Sequence, residues 1–384
     1  MEKIYEDALL LHEKQNGKIE MQLKENFTKE ELSLVYTPGV AQPCREIAKD
    51  KNQVYKYTMK SNTIAVITDG SAVLGLGDIG PEAALPVMEG KCALFKRFGD
   101  VNAFPICLDA YNVDEIVNII KAISVGLGGI NLEDISAPRC FEIEEKLKKE
   151  LNIPIFHDDQ HGTAIVVLAF LINALRLTHR NKEELKIVIN GAGAAGIAIV
   201  KMLHHYGFKN MIICDSDGII SFHRNNLNEY KEKLLTFTNL ENMEGDLETA
   251  LKGSDIFIGV SKGQLVTTEM IKSMNKDPII LAMANPIPEI YPKDAINGGA
   301  YIVGTGRSDF ANQINNVLVF PGLFHAILKL GILDITDEIK LKTAEAIAHC
   351  IKEDELNKNY LLPDIFDDAI KDNILKELSI YGKN

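Results

Sequence analysis

A glycine-rich loop stands between an apolar run and a helical segment in the second half of the chain. Residues 185–190 have the pattern of a buried strand, and residues 197–206 have that of a helix. The loop between them reads Gly191, Ala192, Gly193, Ala194, Ala195 and Gly196. This G-x-G-x-x-G spacing permits a tight turn and the close approach of a pyrophosphate, which the helix N-terminus stabilises. It predicts an α/β fold that contains a Rossmann-like NAD(P)-binding domain.

An acidic residue stands where such a domain binds the adenosine ribose. Asp215 follows the next strand-like run, 24 positions after Gly191. A carboxylate near this spacing accepts hydrogen bonds from the ribose hydroxyls of NAD and repels the 2'-phosphate of NADP. Asp217 adds a negative charge, and no basic residue follows before His223 and Arg224. The sequence therefore favours NAD, with NADP left open because Arg224 could fold back onto the site.

A second G-x-G-x-x-G match runs from Gly75 to Gly80, in a poorer context. Residues 70–74 lie between its first glycine and the strand-like run 64–68. No acidic second strand follows at a suitable distance. We interpret this match as a turn that leads into a helix beginning at Pro81.

Two pairs of adjacent carboxylates stand at the ends of two strand-like runs. Glu133 and Asp134 end one run, Asp158 and Asp159 end the next, and a helix-like segment, 136–151, separates them. The carboxyl ends of parallel neighbouring strands face one crevice, so we expect the four carboxylates to converge. Crowded carboxylates repel one another unless a cation neutralises them, and all-oxygen ligands suit Mg²⁺ or Mn²⁺. The alternative is that both pairs lie on solvated loops.

Two histidines in the same stretch also suggest zinc. His157 and His161 stand four residues apart, which is a zinc-binding spacing on a helix. Because His157 directly follows a strand-like run, we do not expect the two rings to share a helical face. The six cysteines include no short-spaced pair, which argues against a zinc ribbon or a disulfide framework and favours a cytoplasmic protein.

One lysine interrupts an apolar stripe on the helix that is predicted to begin at Pro81. The stripe consists of Ala84, Val87, Met88, Lys91, Leu94 and Phe95. A lysine in this position either extends its ammonium group to water or is partly desolvated. In the second case its pKa is lowered, which suits a general base. The helical pattern alone leaves both interpretations open.

Composition limits the class of protein and its partners. The chain has 384 residues, 46% of them hydrophobic, which supports two or three domains with sizeable cores. The formal net charge of -13 disfavours nucleic acid and anionic membranes as partners. We find no apolar run of membrane-spanning length. The net charge still allows a small acidic substrate, because positively charged side chains can dominate the local charge of a binding site.

Nine motifs together resemble those of the malic enzymes, over residues 30–325. They are YTPGV at 36–40, VITDG at 66–70, LGLG at 74–77, PVMEGK at 86–91, GINLED at 129–134, FHDDQHGTA at 156–164, ANP at 284–286, TGRS at 305–308 and NNV at 315–317. The length is similar to that of the short prokaryotic form of the family.

The resemblance implies oxidative decarboxylation of L-malate to pyruvate and carbon dioxide, with reduction of NAD or NADP and a requirement for Mg²⁺ or Mn²⁺. The metal ligands that it implies are Glu133, Asp134 and Asp159. Asp158 resembles an orienting carboxylate, Lys91 the general base, and Tyr36 the general acid that protonates C3 of enolpyruvate. Without the resemblance, Tyr36 reads as an aromatic residue packed against Pro38.

Amides and an arginine complete the implied site. The family places three amides near the nicotinamide ribose and the substrate, and these correspond to Asn285, Asn315 and Asn316. Each of them is alternatively a capping or turn residue. The larger malic enzymes have an arginine that grips a substrate carboxylate where this chain has Ala72. Arg307, Lys91 or a residue of a neighbouring subunit is then needed to hold that carboxylate.

We expect three segments and a homo-oligomer. Residues 1–160 would form an α/β substrate and metal domain, residues 161–320 the Rossmann-like domain, and residues 321–384 helices that pack back on the first domain. The apolar run 164–177 would be the interdomain helix. The resemblance implies L-malate as the small-molecule partner and a homodimer or homotetramer.

Two other functions remain open from the sequence. One is a metal-independent Rossmann dehydrogenase of a 2-hydroxy or amino acid, and the other is a non-catalytic NAD-sensing protein. The acidic cluster argues against the first, since simple hydride transfer needs no chelated metal. The presence of the implied acid, base and metal ligands together argues against the second.

Overall fold

The structure is a computed structural model that describes residues 2–15, 17–24, 27–73 and 75–382. Leu74 of the LGLG motif lies outside the described residues. The same holds for Met1, Asn16, Glu25 and Asn26 of the predicted segment 1–160, and for Lys383 and Asn384 of the predicted segment 321–384. The N-terminal part is helical. Its α-helices are α1 (Glu2–Gln15), α2 (Leu32–Val35), α3 (Ala41–Lys49) and α4 (Val54–Tyr57). Short 3-10 helices cover Lys51–Gln53 and Met59–Asn62.

The first sheet has four parallel strands in the order β2-β1-β3-β4. The strands are β1 (Thr63–Thr68), β2 (Asn102–Cys107), β3 (Gly129–Leu132) and β4 (Ile155–His157). The helices that connect them are α5 (Pro81–Gly99), α6 (Val113–Ile123) and α7 (Arg139–Glu150), and a 3-10 helix covers Ser124–Gly126. The predicted strand, crossover helix and strand around the carboxylate pairs are therefore present as β3, α7 and β4.

A long apolar helix, α8 (Asp158–Thr178), follows β4 without a loop. It begins six positions earlier than the predicted run 164–177, so Asp158 and Asp159 lie in its first turn. The prediction that no run reaches membrane-spanning length was wrong, because α8 is long and apolar enough to cross a membrane. Most of its apolar window is buried inside the protein (67%), where it packs against later helices, and this is typical of a core helix.

The second sheet has six strands in the order β10-β9-β8-β5-β6-β7, all parallel except β7, which pairs antiparallel to β6. The strands are β5 (Lys186–Asn190), β6 (Asn210–Asp215), β7 (Gly218–Ile219), β8 (Ile256–Gly259), β9 (Ile279–Ala282) and β10 (Ile302–Thr305). The helices of this part are α9 (Ala194–Tyr206), α10 (Glu229–Leu234), α11 (Leu247–Leu251), α12 (Thr268–Lys272) and α13 (Pro292–Asn297). The predicted strand, glycine loop and helix are present as β5, residues 191–193 and α9.

The C-terminal helices contact both halves of the molecule. They are α14 (Phe320–Leu330), α15 (Asp337–Ala348) and α16 (Ala369–Leu378), with 3-10 helices at Asn316–Leu318 and Ser379–Tyr381. The ring of Phe324 on α14 lies 5.4 Å from that of Phe95 on α5 and 6.0 Å from that of Phe156 on β4. On α8, Asn173 Nδ2 donates to the carbonyl oxygens of Ala348 and Leu361, both at 2.9 Å. These contacts join the C-terminal helices to the first sheet and to α8.

Candidate active site

The two carboxylate pairs converge at the carboxyl edge of the first sheet, as the strand pattern predicts. Strand β3 ends directly before Glu133 and Asp134, and β4 ends directly before Asp158. Single carboxylate oxygens of Glu133, Asp134 and Asp159 lie within 4.8 Å of one another. The backbone N–H of Asp134 donates to Asp159 Oδ2 at 2.8 Å, which ties the end of β3 to the first turn of α8.

The backbone around Asp134 is held in an uncommon conformation. Its φ of 53° lies in the left-handed region, where an aspartate is tolerated better than most non-glycine residues. Its carbonyl oxygen accepts the N–H of Ala72 at 3.0 Å, from the loop after β1. Asn131, within β3, donates from Nδ2 to Glu133 Oε2 at 2.8 Å. These contacts fix the backbone at Asp134 and the direction of the Glu133 carboxylate.

Lys91 is buried against these carboxylates. Its Nζ lies 2.6 Å from Asp158 Oδ2 and 2.8 Å from Glu133 Oε1, and the residue is 8% exposed. The ammonium group also lies over the ring of Phe320, 4.1 Å from its centroid. The interpretation that Lys91 extends its ammonium to water was therefore wrong, because carboxylates and an aromatic face surround it.

The expected lowering of the Lys91 pKa was also wrong for this arrangement. Burial lowers the pKa of Lys91, but the charges of Asp158 and Glu133 outweigh burial and raise it above its ordinary value. Periodicity identified a buried lysine on α5 but carried no information about which charges it faces. In this structure Lys91 is an ammonium that is ion-paired to two carboxylates.

Burial raises the pKa of every carboxyl group in the cluster, namely Glu133, Asp134, Asp158 and Asp159. Burial is the main cause, and neighbouring carboxylates add to it at Asp134, whose pKa rises to about 9. Burial raises the pKa of Glu133 and of Asp158 to about 7 each, although Lys91 opposes this at both positions. Burial and the charge of Asp158 raise the pKa of Asp159 to about 6. Lys91 is one ammonium group against four carboxyl groups, so their full ionisation requires a further cation.

The orphaned oxygens of the cluster fit a divalent cation. Asp134 Oδ2, Asp158 Oδ1 and Asn131 Oδ1 are buried and have no hydrogen-bond partner among the described residues. Buried polar atoms are nearly always satisfied, so these oxygens are available to a ligand, and that of Asp134 belongs to the cluster of Glu133, Asp134 and Asp159. Oxygen donors of this kind suit Mg²⁺ or Mn²⁺. The donor set of Glu133, Asp134 and Asp159 is therefore chemically suited to such an ion.

The two histidines do not form a zinc site. His157 is the last residue of β4 and is fully buried, and burial lowers its pKa to about 4. His161 lies on α8, and its Nε2 contacts both oxygens of Glu144 at 2.8 and 2.9 Å. Burial lowers the pKa of His161 to about 4 as well. The expectation that the two rings do not share a helical face was correct.

The glycine loop has the close approaches that the motif predicts. Gly191 has a φ of +122°, and a Cβ there would lie 2.7 Å from the carbonyl oxygen of Val260. A Cβ on Gly196 would overlap the carbonyl oxygen of Gly191. No described atom lies within 4 Å of a Cβ built on Gly193, directly before α9. The loop thus leaves room at the N-terminus of α9, where a pyrophosphate is stabilised. Ala192, Ala194 and Ala195 lie between these glycines.

Two cations already hold the acidic residue after β6. Arg224 donates to both oxygens of Asp215, at 2.7 and 3.1 Å, and also to Asp217 at 3.2 Å. Lys231 on α10 donates to Asp215 Oδ2 at 2.6 Å. Burial raises the pKa of Asp215, but these hydrogen bonds outweigh it and lower the pKa. The possibility that Arg224 folds back is therefore realised, and Lys231 was missed because α10 lies sixteen residues further along the chain.

Asn285 and Arg307 lie just after the ends of β9 and β10. Asn285 follows β9, and its amide nitrogen lies 2.8 Å from a Cβ built on Gly306. Arg307 donates to both oxygens of Asp309 at 2.8 and 2.7 Å, and to the Pro286 carbonyl at 2.6 Å. Its guanidinium group is thus engaged by Asp309 in its own loop and by Pro286 in the loop after β9.

Asn315 caps the 3-10 helix Asn316–Leu318. Its Oδ1 accepts the N–H of Val317 at 3.0 Å, which is the capping role that the sequence left open. The first glycine match also reaches this region, because a Cβ on Gly75 would lie 3.0 Å from the carbonyl oxygen of Asn285. The loop after β1 and the end of β9 therefore meet across the two sheets.

The structure does not bring Tyr36 into the Lys91 cluster. Tyr36 follows α2, is 69% exposed, and forms no side-chain hydrogen bond with any described residue. None of the residues of α2, α3 and α4 is buried. The chain as described therefore joins the implied base and metal ligands but leaves the implied acid at the surface.

The sequence interpretation missed several residues that support the site. Asn131 holds Glu133, and Phe320 forms the face beneath Lys91. Asn131 carried a signal, because it is the one polar residue within the buried strand β3. Phe320 carried none, since the contact depends on how α14 packs on α5.

Comparison with known proteins places the chain in one family. Residues 12–148 match the family described as malic enzyme, N-terminal domain, and residues 160–372 match malic enzyme, NAD binding domain. The chain is 54% identical to the bifunctional malic/malolactic enzyme of Bacillus subtilis, over 97% of this chain and 92% of that one. It is 52% identical to the NAD-dependent malic enzyme of Geobacillus stearothermophilus, over 93% of this chain and 75% of that one.

A solved structure gives the same result. The crystal structure of the NAD-dependent malic enzyme from Thermotoga maritima superposes with a TM-score of 0.93 at 48% sequence identity. The alignment covers 97% of this chain and 98% of that one. With both family domains matched and these relatives aligned over nearly its whole length, the chain belongs to the malic enzyme family.

Proposed function

We propose that this protein oxidatively decarboxylates L-malate to pyruvate and carbon dioxide, with reduction of NAD(P) and a divalent cation in the carboxylate cluster. The observation that carries the proposal is the meeting of Lys91 with the Glu133, Asp134 and Asp159 cluster. A base beside an oxygen-rich cation site is what the removal of hydride and carbon dioxide from a 2-hydroxy dicarboxylic acid requires. A metal-independent dehydrogenase would not need the oxygen-rich cation site.

Glu133, Asp134 and Asp159 are the groups that would hold Mg²⁺ or Mn²⁺. When bound there, the cation supplies Lewis acidity that draws electrons from the 2-oxo acid as carbon dioxide leaves. The peptide N–H of Asp134 orients Asp159, and Asn131 orients Glu133, so both carboxylates are held before any ion arrives. Because these side chains are already held in place, less conformational entropy is lost when they bind an ion.

Lys91 is proposed to receive the proton of the C2 hydroxyl as hydride departs to the nicotinamide. To do so it must first lose a proton, and Asp158 Oδ2, 2.6 Å from Nζ, lies within proton-transfer distance. Asp158 and Glu133 together fix the position of Nζ, because both carboxylates bind the same ammonium group. Closure over the substrate would exclude water from this cluster.

Tyr36 is proposed as the acid that protonates C3 of enolpyruvate, which requires the N-terminal segment to take another position or to contact a second copy of the chain. We propose a homodimer or homotetramer. Exposed apolar side chains of this segment support the proposal, because Leu9, Met21 and Leu34 are each at least 69% exposed. Large apolar side chains that are exposed in one segment are compatible with a protein interface there.

NAD is proposed as the preferred cofactor, with NADP also accepted. Gly191, Gly193 and Gly196 would admit the pyrophosphate, and Asp215 would accept hydrogen bonds from the ribose hydroxyls. The same carboxylate would repel a 2'-phosphate. Arg224 and Lys231 offset that repulsion because they already lie against Asp215. We therefore expect a moderate preference for NAD.

Asn285 is proposed to contact the nicotinamide ribose, and Asn315, Asn316 and Arg307 the substrate. Arg307 would have to leave Asp309 to hold a carboxylate in place of the arginine that is absent at Ala72. We further propose the divisions 1–160, 161–320 and 321–384 as structural segments, and a cytoplasmic location. The free state of all six cysteines, each of which lies among the described residues, is compatible with a reducing compartment.

Titration with Mn²⁺ tests the proposed cation site directly. Asp159→Asn removes one ligand charge and should weaken Mn²⁺ binding by at least roughly tenfold in calorimetry. Glu248→Gln is a matched control, because Glu248 is an exposed acid on α11. Equal Mn²⁺ affinity in the wild type and Asp159→Asn would contradict the site.

A further inference from the structure

A cavity lies between α8, α9 and α15, and none of the carboxylate cluster's residues is among those that line it. Its volume is about 150 Å³. An apolar floor is formed by Ile197, Ala198, Met202, Phe237 and Leu341. At roughly 30 Å³ for each water, the space corresponds to about five waters, which is the size of a short aliphatic ligand.

The rim of this cavity is basic, although the chain as a whole is acidic. Lys201, His204 and His205 come from α9, and Lys340 from α15. The carboxylate among the lining residues is that of Asp337, and Lys340 binds it at 2.9 Å. His205 Nδ1 lies 3.7 Å from the other oxygen of the same carboxylate. Asp337 is therefore already neutralised from within the rim.

Lys201 has no such partner. Among the residues that the structure describes, no acidic oxygen lies within 4.0 Å of its ammonium group. Lys340 is buried, and its ammonium group pairs with Asp337. Lys201 and Lys340 together place two ammonium groups at the rim against the one carboxylate of Asp337, so an anion would balance the charge.

Two side chains that bind Glu144 form the cavity wall nearest the carboxylate cluster. Gln160 and His161 form this wall, and both side chains bind Glu144, at 3.2 Å and 2.8 Å. Lys148 binds the same carboxylate at 2.7 Å. Glu144 is therefore neutralised by its own partners and does not repel an anion in the cavity.

We propose that this cavity binds a small carboxylate with a short apolar chain. The chain would lie on the floor around Ala198 and Met202, and the carboxylate would face Lys201 and Lys340. An apolar pocket with a few convergent polar groups is the usual form of a small-molecule site. The site is separate from the one assigned to malate, and neither Lys201 nor Ala198 has a part in the proposed chemistry.

Calorimetric titration with butyrate tests the proposal, with the full-length protein in the presence of a chelator. Butyrate should bind and should bind more weakly as ionic strength rises, because the contact is electrostatic. Butanol, which has the same apolar chain and no charge, should bind at least about fivefold more weakly. Equal binding of butanol and butyrate would overturn the assignment of a carboxylate.

Two variants locate the bound butyrate. Lys201→Gln should weaken binding by about fivefold, since one exposed ionic contact contributes on the order of this factor. Ala198→Leu fills the floor and should abolish binding in a protein whose thermal unfolding shows that it is folded. If the larger side chain prevents folding, Lys201→Gln alone tests the location of bound butyrate. Lys201 is exposed, so its substitution should leave the protein folded.

Lys329→Gln is the matched control, since Lys329 is an exposed helical lysine on α14 that does not line the cavity. It should leave butyrate affinity at the wild-type value. Absence of butyrate binding to the wild type would overturn the proposal. Binding that is equal in the wild type, Lys201→Gln and a folded Ala198→Leu would also overturn it, because butyrate would then occupy another site.

Discussion

The ammonium group of Lys91 lies 2.6 Å from Asp158 Oδ2, and both side chains are buried. Glu133 shares the same ammonium at 2.8 Å. Burying three charged groups is costly, and the arrangement is stable only because each group faces an opposite charge. Catalytic and structural roles are therefore combined in one lysine, and experiments must separate them.

Lys91→Ala should lower malate oxidation by about 100-fold or more, because a positioned base contributes at least this factor. It should also lower the free energy of unfolding by about 3 kcal/mol, since two buried carboxylates lose their partner. Lys91→Arg separates the effects, because it keeps the charge and so more of the stability, while a guanidinium group is too weak a base to restore turnover. Near-normal activity in Lys91→Ala would contradict the proposed base.

Tyr36→Phe should suppress malate turnover while reduction of pyruvate and binding of cofactor remain measurable. The substitution removes only the hydroxyl proposed to protonate C3 of enolpyruvate. Because Tyr36 is exposed, the free energy of unfolding should change by less than about 0.5 kcal/mol. Malate turnover that stays near the wild-type rate would return Tyr36 to a packing role.

We propose that the contact between Arg224 and Asp215 controls the choice between NAD and NADP. The wild type should show a higher kcat/KM for NAD than for NADP at fixed malate and Mn²⁺. Arg224→Gln should lower kcat/KM for NADP by about tenfold relative to NAD, because a charge-assisted contact to the 2'-phosphate is lost. Asp215→Asn should shift the ratio toward NADP. A wild-type preference for NADP would mean that Arg224 and Lys231 override both nearby aspartates.

Glu144 should give stability that depends on pH. Burial raises its pKa, but His161 and Lys148 outweigh burial and hold the pKa well below the ordinary value of 4.5. Because the folded-state pKa is lowered, this contribution is complete above the ordinary value and is lost as the pH falls toward the folded-state pKa.

Urea unfolding of Glu144→Gln measures this contribution. At neutral pH the variant should be less stable than the wild type by about 3 kcal/mol. The difference should shrink once the pH falls below the ordinary value. Glu248→Gln, at an exposed pair with Lys252, should show almost no change at either pH. A difference for Glu144→Gln that is constant across this range would rule out the charge as its cause.

Sequence patterns predicted the fold best where a local signal and a buried strand coincide. The glycine loop between β5 and α9, and the carboxylates after β3, lie where hydrophobic runs end. The start of α8 was placed too late, because Asp158 and Asp159 interrupt the apolar pattern although they form the first helical turn. A pattern of apolar residues cannot predict a helical turn whose side chains are polar because they belong to a functional site.

The sequence predicted which residues belong to the site better than it predicted their protonation states. Lys91 was identifiable from its position on an apolar stripe, but its raised pKa depends on Asp158 and Glu133, which are distant in sequence. In the same way, the pairing of Lys231 with Asp215 depends on the path of the loop after β7. Tyr36 came from the family resemblance alone, and the chain leaves it at the surface.

The most direct measurement of the central claim is the stoichiometry of products from L-malate and NAD. With Mn²⁺ present, the wild type should form equal amounts of reduced cofactor, pyruvate and carbon dioxide, and a chelator should stop all three. Asp159→Asn should be severely impaired under the same conditions. Reduced cofactor that forms without carbon dioxide, or at the same rate in chelator, would contradict a metal-dependent decarboxylation and favour a simple dehydrogenase.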